Sequence, residues 1–409
     1  PLKCVADYLA AAGDDSVLGE TLPYTTLHGG APAAPETLSG HIRRAVESIR
    51  GRFLDGTRLI SYAGGDWDDT LQPADPAMKE HMVSAWTQAL AYQTLRSLGE
   101  ALRPACPEFG AELGALADGI AADFTRYLIR DGQIAGFAFR NADWSFRYML
   151  HPSDSQTGIH CRLLPLTRSI IAGLVGPAQA DENRRLIDEK LKCPDGVRLM
   201  DRPSRYDGGV SHLFQRAEQA ANVGREISLQ YTHAHIRYIE AMAKLGRAGD
   251  AWHALFAVNP ILLADTVPNA APRQSNLYFS SSDGDFSDRY QYSAEFDRLF
   301  DGSIAVKGGW RLYSSGPGIY MARLVRDLFG LRFCGQELEI DPVLPPEADG
   351  ARLTYRCFGK AVTFVYRRSE EGTVSVCRGG KKLETAAAAG NPYRRDGVRI
   401  PGGVLREGG

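Results

Sequence analysis

The chain has 409 residues, room for two or three domains of about 100 to 200 residues each and for a sizeable buried core. Lys and Arg number 47 against 49 Asp and Glu, a net charge of -2, so no chain-wide positive field exists to hold nucleic acid or an anionic membrane. With 44% hydrophobic residues and no apolar run of the roughly 18 residues that a bilayer span requires, a soluble globular chain is expected.

The chain opens at Pro1 with no signal-like segment, and Leu2, Val5 and Leu9 already follow helical spacing without a cap ahead of them, so it reads as the later part of something longer. Leu38, Ile42, Val46 and Ile49 mark the next helix, and Asp75 with Pro76 predict the N-terminus of a long one running to about Leu102. Further helices are predicted over 112–130, 161–174, 181–192, 230–245, 249–257 and 318–329, the last ending at Gly330. Long loops are expected over 57–76, 194–211 and 267–309, where length and aromatic content point to function. After residue 335 the period changes to two: Leu353, Tyr355 and Cys357 alternate, then Val362, Phe364 and Tyr366, then Val374 and Val376, with Gly379 and Gly380 placed for a hairpin turn. The seven cysteines form no C-x-x-C pair, which argues against a disulfide framework or a cysteine zinc site and for a reducing, cytoplasmic setting.

Chemistry concentrates in three places. The loop Gly64-Gly65-Asp66-Trp67-Asp68-Asp69-Thr70 carries three carboxylates within four positions. Their mutual repulsion raises the pKa of at least one, which suits a general acid on a glycosidic oxygen, and Trp67 offers a face for a sugar ring. A solvated acidic turn is the alternative, or a calcium-type oxygen cluster, though the spacing does not match an EF-hand loop. The second place is Gln230-Tyr231-Thr232-His233-Ala234-His235 at a helix start, where histidines two apart point to different faces and do not share a metal, while the helix N-terminus suits an anion beside His233. The third is Gly308-Gly309-Trp310-Arg311-Leu312-Tyr313-Ser314-Ser315-Gly316-Pro317-Gly318, whose hydroxyls and backbone N–H groups could cradle phosphate, or which could be a turn chosen for conformation alone. A polar stretch from Met200 through Arg225 and Glu226 could contact sugar hydroxyls or form internal ion pairs.

Taken in this order, the motifs resemble the inverting phosphorylases of glycoside hydrolase family 94, which includes cellobiose and chitobiose phosphorylases. That family's acid loop reads D-W-N-D and its final Asp is the general acid, a position occupied by Asp69, with Trp67 at the sugar-contacting tryptophan. Its phosphate-binding histidine falls on His233, and its G-G-W-x-W-Y-T-G stretch on Gly308 to Ser315, where Ser314 and Ser315 replace Thr and Gly. Asp68 in place of Asn, with the strings Gly65–Gln72, Leu199–Pro203, Arg216–Asn222 and Asn276–Asp283, is similar to the 1,2-β-oligoglucan phosphorylase branch.

The resemblance implies a mainly α chain with β: an (α/α)6 toroid over 1–334, incomplete at its N-terminus, and a C-terminal β-sandwich-like domain over 335–409. It implies phosphorolysis of β-1,2-linked gluco-oligosaccharides to α-glucose 1-phosphate, with Asp69 as acid, Asp66, Trp67, Asp68 and Arg225 on the sugar, and His233, Ser314 and Ser315 on phosphate. Inorganic phosphate is then a co-substrate, and no cofactor or metal is called for. It also implies residues for the non-reducing glucose further upstream, and a homodimer in the full-length protein. Two rivals are an inverting hydrolase on the same toroid, with an extra aspartate as base for water, and a non-catalytic carbohydrate-binding fragment.

Overall fold

A computed structural model describes residues 1–25, 34–219, 226–259, 261, 263–271, 281–309, 316–369, 372–388, 390–395 and 397–406. The chain is helix-rich with small antiparallel sheets. The first helix, Leu2–Ala12, ends at Gly13 in the left-handed conformation, and the second, Leu38–Arg50, starts where the Thr37 hydroxyl accepts from the Gly40 N–H at 3.2 Å. Both bury their apolar faces against Leu95, Leu98, Leu113 and Ile120.

The helix expected from Pro76 to Leu102 is two helices. Asp75 caps Pro76–His81 through the Ala77 N–H at 2.8 Å, but Met82–Ser84 is extended, and Ser84 caps a new helix, Ala85–Leu102. The break has a tertiary cause: Met82–Ser84 pairs with Phe137–Arg140, the first arm of a hairpin closed by Phe146–Met149. Ala85–Leu102 then lies against Pro107–Leu128 at close range. A methyl group on Gly99 would come within 2.8 Å of the Gly110 carbonyl oxygen, and one on Gly110 within 2.7 Å of that of Gly99.

Leu163–Ala172, Pro177–Lys190, Thr232–Lys244 and Ala248–Ala257 complete the main helical body around a core that includes Leu71, Phe137, Leu164, Ile170 and Ile239. The span 267–309 is not simply a loop. It contains the strands Ser281–Gly284 and Val306–Gly309 and the short helices Arg289–Ala294 and Arg298–Asp301, packed around Val267, Tyr292 and Leu299.

Gln230–Tyr231, Ser281–Gly284 and Val306–Gly309 form one antiparallel sheet in that spatial order, with Tyr231 opposite Ser281 and Ser281 opposite Gly309. The outer strands therefore run parallel to each other and leave the sheet at the same end.

In the C-terminal part, Leu331–Cys334, Glu337–Ile340, Val398–Pro401 and Ala386–Ala387 form a four-stranded antiparallel sheet, joined by the hairpin Arg352–Cys357 and Lys360–Val365. Gly379 and Gly380 both have positive φ, 55° and 79°, and turn the hairpin between Cys377–Arg378 and Lys381–Lys382. Val374 and Val376 pack on this core without strand pairing. No described helix is long and apolar enough to cross a membrane, and none of the seven cysteines is disulfide-bonded.

Candidate functional site

The acid loop is held from three sides. The Tyr62 and Ala63 N–H groups donate to the carbonyls of Met82 and Lys79, each at 2.7 Å, which anchors the loop on the broken helix. The Ala217 N–H donates to the Thr70 carbonyl at 3.1 Å and that of Gln215 to Gln72 at 2.8 Å, while the Thr70 hydroxyl donates to Glu226 at 2.8 Å. These contacts fix the backbone of a segment that has little regular structure of its own.

The three carboxylates have three different environments. Asp66 is paired with Arg162 at 2.6 Å with both side chains fully buried, and it also accepts from the Ser84 and Thr87 hydroxyls. Arg162 lies 4.6 Å over the Phe137 ring. Removing either member would strand the other charge in the interior. Asp68 is 1% exposed; its Oδ1 accepts from the Thr70 N–H at 3.1 Å, while its Oδ2 has no described partner. Burial pushes its carboxyl up to about 8, with Arg162 offsetting part of the rise and Asp66 and Glu226 adding to it. The raised acid expected among the three is thus Asp68. Asp69, at the start of the short turn Asp69–Leu71, is the carboxylate open to solvent.

Trp67 bridges this loop to the helix Thr232–Lys244. Its ring meets Tyr231 edge-on at 5.1 Å and His233 at 6.0 Å, so residues separated by more than 160 positions share one locus. Burial lowers the His233 imidazole to about 4, assisted by Arg237 and Arg168, so it is neutral at pH 7. Arg168, buried beside Gln93, is itself pulled down to about 10 by burial. Glu240, whose acidity burial alone would weaken, is held at about 2 by Arg323, Arg237 and Arg168. The region around His233 is therefore rich in guanidinium groups at a helix N-terminus, a field suited to an anion.

His235 does different work. It is buried, accepts from the Val197 N–H at 3.1 Å through Nδ1 and donates through Nε2 to the Ala254 carbonyl at 2.8 Å. The two-residue spacing separates the histidine beside Trp67 from a packing one, as expected on a helix.

Of the expected site residues, the structure brings Asp66, Trp67, Asp68, Asp69 and His233 together. Arg225, Ser314 and Ser315 lie outside the described residues. Gly309 and Tyr231 sit at the same end of the three-stranded sheet, on its two outer strands, each opposite Ser281. Sequence reasoning missed Arg162 and Arg168. Their signal is present: Arg162 directly before the mostly apolar run 163–171, and Arg168 within it, are out of place unless each has a buried partner.

The catalytic-domain model of the glycosyl hydrolase 94 superfamily matches residues 2–275, and that of the glycoside phosphorylase C-terminal domain matches residues 330–408. The chain belongs to the glycosyl hydrolase 94 superfamily. It is 46% identical over 403 residues to the 1,2-beta-oligoglucan phosphorylase of Listeria innocua serovar 6a, an alignment that takes in 98% of this chain and 36% of that protein. It is 24% identical over 429 residues to the cyclic beta-(1,2)-glucan synthase NdvB of Rhizobium meliloti, across 96% of this chain and 13% of that one. The chain thus spans about a third or less of the length of these curated relatives. Among solved structures, neutral trehalase Nth1 from Saccharomyces cerevisiae aligns with a TM-score of 0.30 at 12% identity, over 47% of this chain and 35% of that one, too distant to bear on the fold.

Proposed function

We propose that this chain carries the reacting centre of an inverting phosphorylase that cleaves β-1,2-linked gluco-oligosaccharides with inorganic phosphate, and that its helices belong to an (α/α)6 toroid. The observation that carries the reading is the meeting, across Trp67, of a solvent-open carboxyl, Asp69, with the guanidinium-rich helix start at His233. Family membership and the phosphorylase relative support it.

In this reading Asp69 gives its proton to the leaving glycosidic oxygen as that C–O bond breaks. A phosphate oxygen attacks the anomeric carbon from the opposite face, so a β-linkage yields α-glucose 1-phosphate and a shortened glucan. Phosphate is already an anion at neutral pH, so no second carboxylate is needed to activate it. Neutral His233 can still donate one N–H to phosphate, and the Arg168 and Arg237 charges stabilise the anion. Trp67 supplies a face to the sugar, Asp66 and Asp68 shape the loop beneath it, and we place Arg225 on the sugar and Ser314 and Ser315 on phosphate by motif. Phosphate is the only small co-reactant called for, and the unbonded cysteines fit a cytoplasmic setting.

The test is NMR of the chain incubated with linear β-1,2-glucan and phosphate. α-Glucose 1-phosphate should accumulate as phosphate is consumed; glucose released at the same rate without phosphate would overturn the reading in favour of a hydrolase.

A further inference from the structure

The three-stranded sheet is fastened to the helical body by a buried polar cluster that lies outside the acid loop. The hairpin of Lys192–Cys193 and Gly196–Val197 turns through Asp195 and leads into Arg198. The Arg198 side chain is fully buried, and its guanidinium spans two carboxylates. Nη2 donates to both Asp195 oxygens at 2.9 and 2.8 Å, and Nη1 donates to Asp283 at 3.0 Å and to the Ser282 carbonyl at 3.3 Å. The Ser282 hydroxyl closes the ring by donating to Asp195 at 2.6 Å. Asp283 accepts in addition from the Tyr292 hydroxyl at 3.0 Å and from the Gly284 N–H at 2.9 Å. Burial pushes the Asp283 carboxyl up, and Arg198 opposes that rise.

The same hairpin is fitted against the helix Thr232–Lys244. The Val197 N–H donates to His235 Nδ1 at 3.1 Å, and Gly196, with φ 122°, leaves no room for a side chain: a Cβ there would come within 2.7 Å of that nitrogen. One short segment therefore grips the helix on one side and the strand Ser281–Gly284 on the other. That middle strand pairs with both outer strands, one ending at Tyr231, two residues before His233, the other at Gly309, directly before the 310–315 stretch in sequence. A buried ion cluster is a poor source of net stability, because desolvation offsets most of its attraction. What its forked, charge-assisted hydrogen bonds supply is direction.

We propose that Arg198 is a positioning residue for the phosphate co-substrate: through Asp195, Ser282 and Asp283 it fixes the middle strand against the His233 helix, and so sets the spacing between His233 and the strand end at Gly309. The inference rests on the proposed function, in which phosphate is held by His233 and, by motif, by Ser314 and Ser315. An anion gripped by donors from two elements is bound well only while those elements keep their separation to within about 0.5 Å.

The experiment compares the unaltered chain with Arg198→Lys, Ser282→Ala and Tyr292→Phe. Inorganic phosphate binding is measured by calorimetry, and phosphorolysis of a linear β-1,2-gluco-oligosaccharide by initial rates with each substrate varied in turn. Lysine keeps the charge but lacks the planar fork, so the Kd and KM for phosphate should rise roughly tenfold, with kcat and the KM for glucan within about twofold. The two hydroxyl variants, which keep both ion pairs, should show the same split at about threefold. They carry the test if circular dichroism shows that Arg198→Lys does not fold. An unchanged phosphate KM in the folded variants would overturn the proposal, as would phosphate and glucan KM rising together, the mark of general loosening. Weakened phosphate binding in the variants, with phosphorolysis by none of the chains, would keep the positioning role and sink the phosphorylase reading. Phosphorolysis with the phosphate KM unmoved would do the reverse, and an unaltered chain that binds no phosphate would overturn both.

Discussion

Replacing Asp68 with Asn removes one titrating group and leaves its shape. The amide oxygen can still accept from the Thr70 N–H, as Oδ1 does at 3.1 Å. In the folded chain burial raises the Asp68 carboxyl from an ordinary 3.8 to about 8. A raised acid contributes most below its unfolded pKa and loses that contribution as pH climbs to the folded one, because between the two the unfolded chain releases a proton that the folded chain keeps. Each pH unit in that window lowers the stability of the native chain by about 1.4 kcal/mol, roughly 6 kcal/mol across the whole of it. Asp68→Asn has no such slope. The stability of the variant minus that of the native chain should rise steadily from about pH 5 to about pH 8 and then level off. Urea unfolding followed by tryptophan fluorescence across this range would measure the difference, in which the other titrating groups, including His233 and His235, cancel. Parallel curves would refute the assignment of a neutral Asp68. Phosphorolysis at pH 7 should persist in Asp68→Asn, since the native carboxyl is already uncharged there.

Asp69→Asn should abolish phosphorolysis while leaving the unfolding free energy within about 0.5 kcal/mol of the native chain, as expected of a solvent-open residue; retained turnover would remove Asp69 as the acid. Arg162→Met leaves the Asp66 carboxylate buried without its ion-pair partner, and should cost about 3 to 5 kcal/mol in unfolding free energy, read from urea denaturation. His233→Ala should raise the KM for phosphate about tenfold or more with less effect on glucan, read from initial rates with each substrate varied in turn. Arg394→Ala should lower stability by about 2 kcal/mol, because it removes a two-pronged ion pair to Asp341, bonded at 2.7 and 2.8 Å, and a cation from a helix C-terminus.

What the sequence disclosed followed local rules. Asp75 before Pro76, the spacing of Ile42 and Val46, and two consecutive glycines between strands each announce a backbone conformation that neighbouring residues enforce. The split at Met82–Ser84 was not legible, since it arises from pairing with Phe137–Arg140, more than 50 residues away. The acid loop shows the same division. Three crowded carboxylates announce that one is perturbed, but their order along the chain does not say which; burial, against the opposing pull of Arg162, decides for Asp68 and leaves Asp69 to solvent. Likewise the spacing of His233 and His235 separates their faces, and only the Val197 and Ala254 partners show which face is packed.

The β-domain bears on the site through the helix Thr232–Lys244. His233 stands at that helix's N-terminus, and its far end is covered by the C-terminal segment: Asn391 donates to the Lys244 carbonyl at 2.9 Å and Arg394 to that of Ala243 at 3.3 Å. From mid-helix, Glu240 joins Arg323, which joins Asp327, which joins Arg332, whose other partners Glu339 and Asp341 belong to the C-terminal sheet and its edge. Glu240 is also the acidic group that tempers the guanidinium field at His233. If Arg323 turned away, Glu240 would be shared by Arg237 and Arg168 alone, and the positive field offered to an anion would weaken. The C-terminal sheet, whose Arg332 shares Asp327 with Arg323, is thereby linked by ion pairs to Glu240 and so to the charge around His233, although among the described residues it places none beside that histidine.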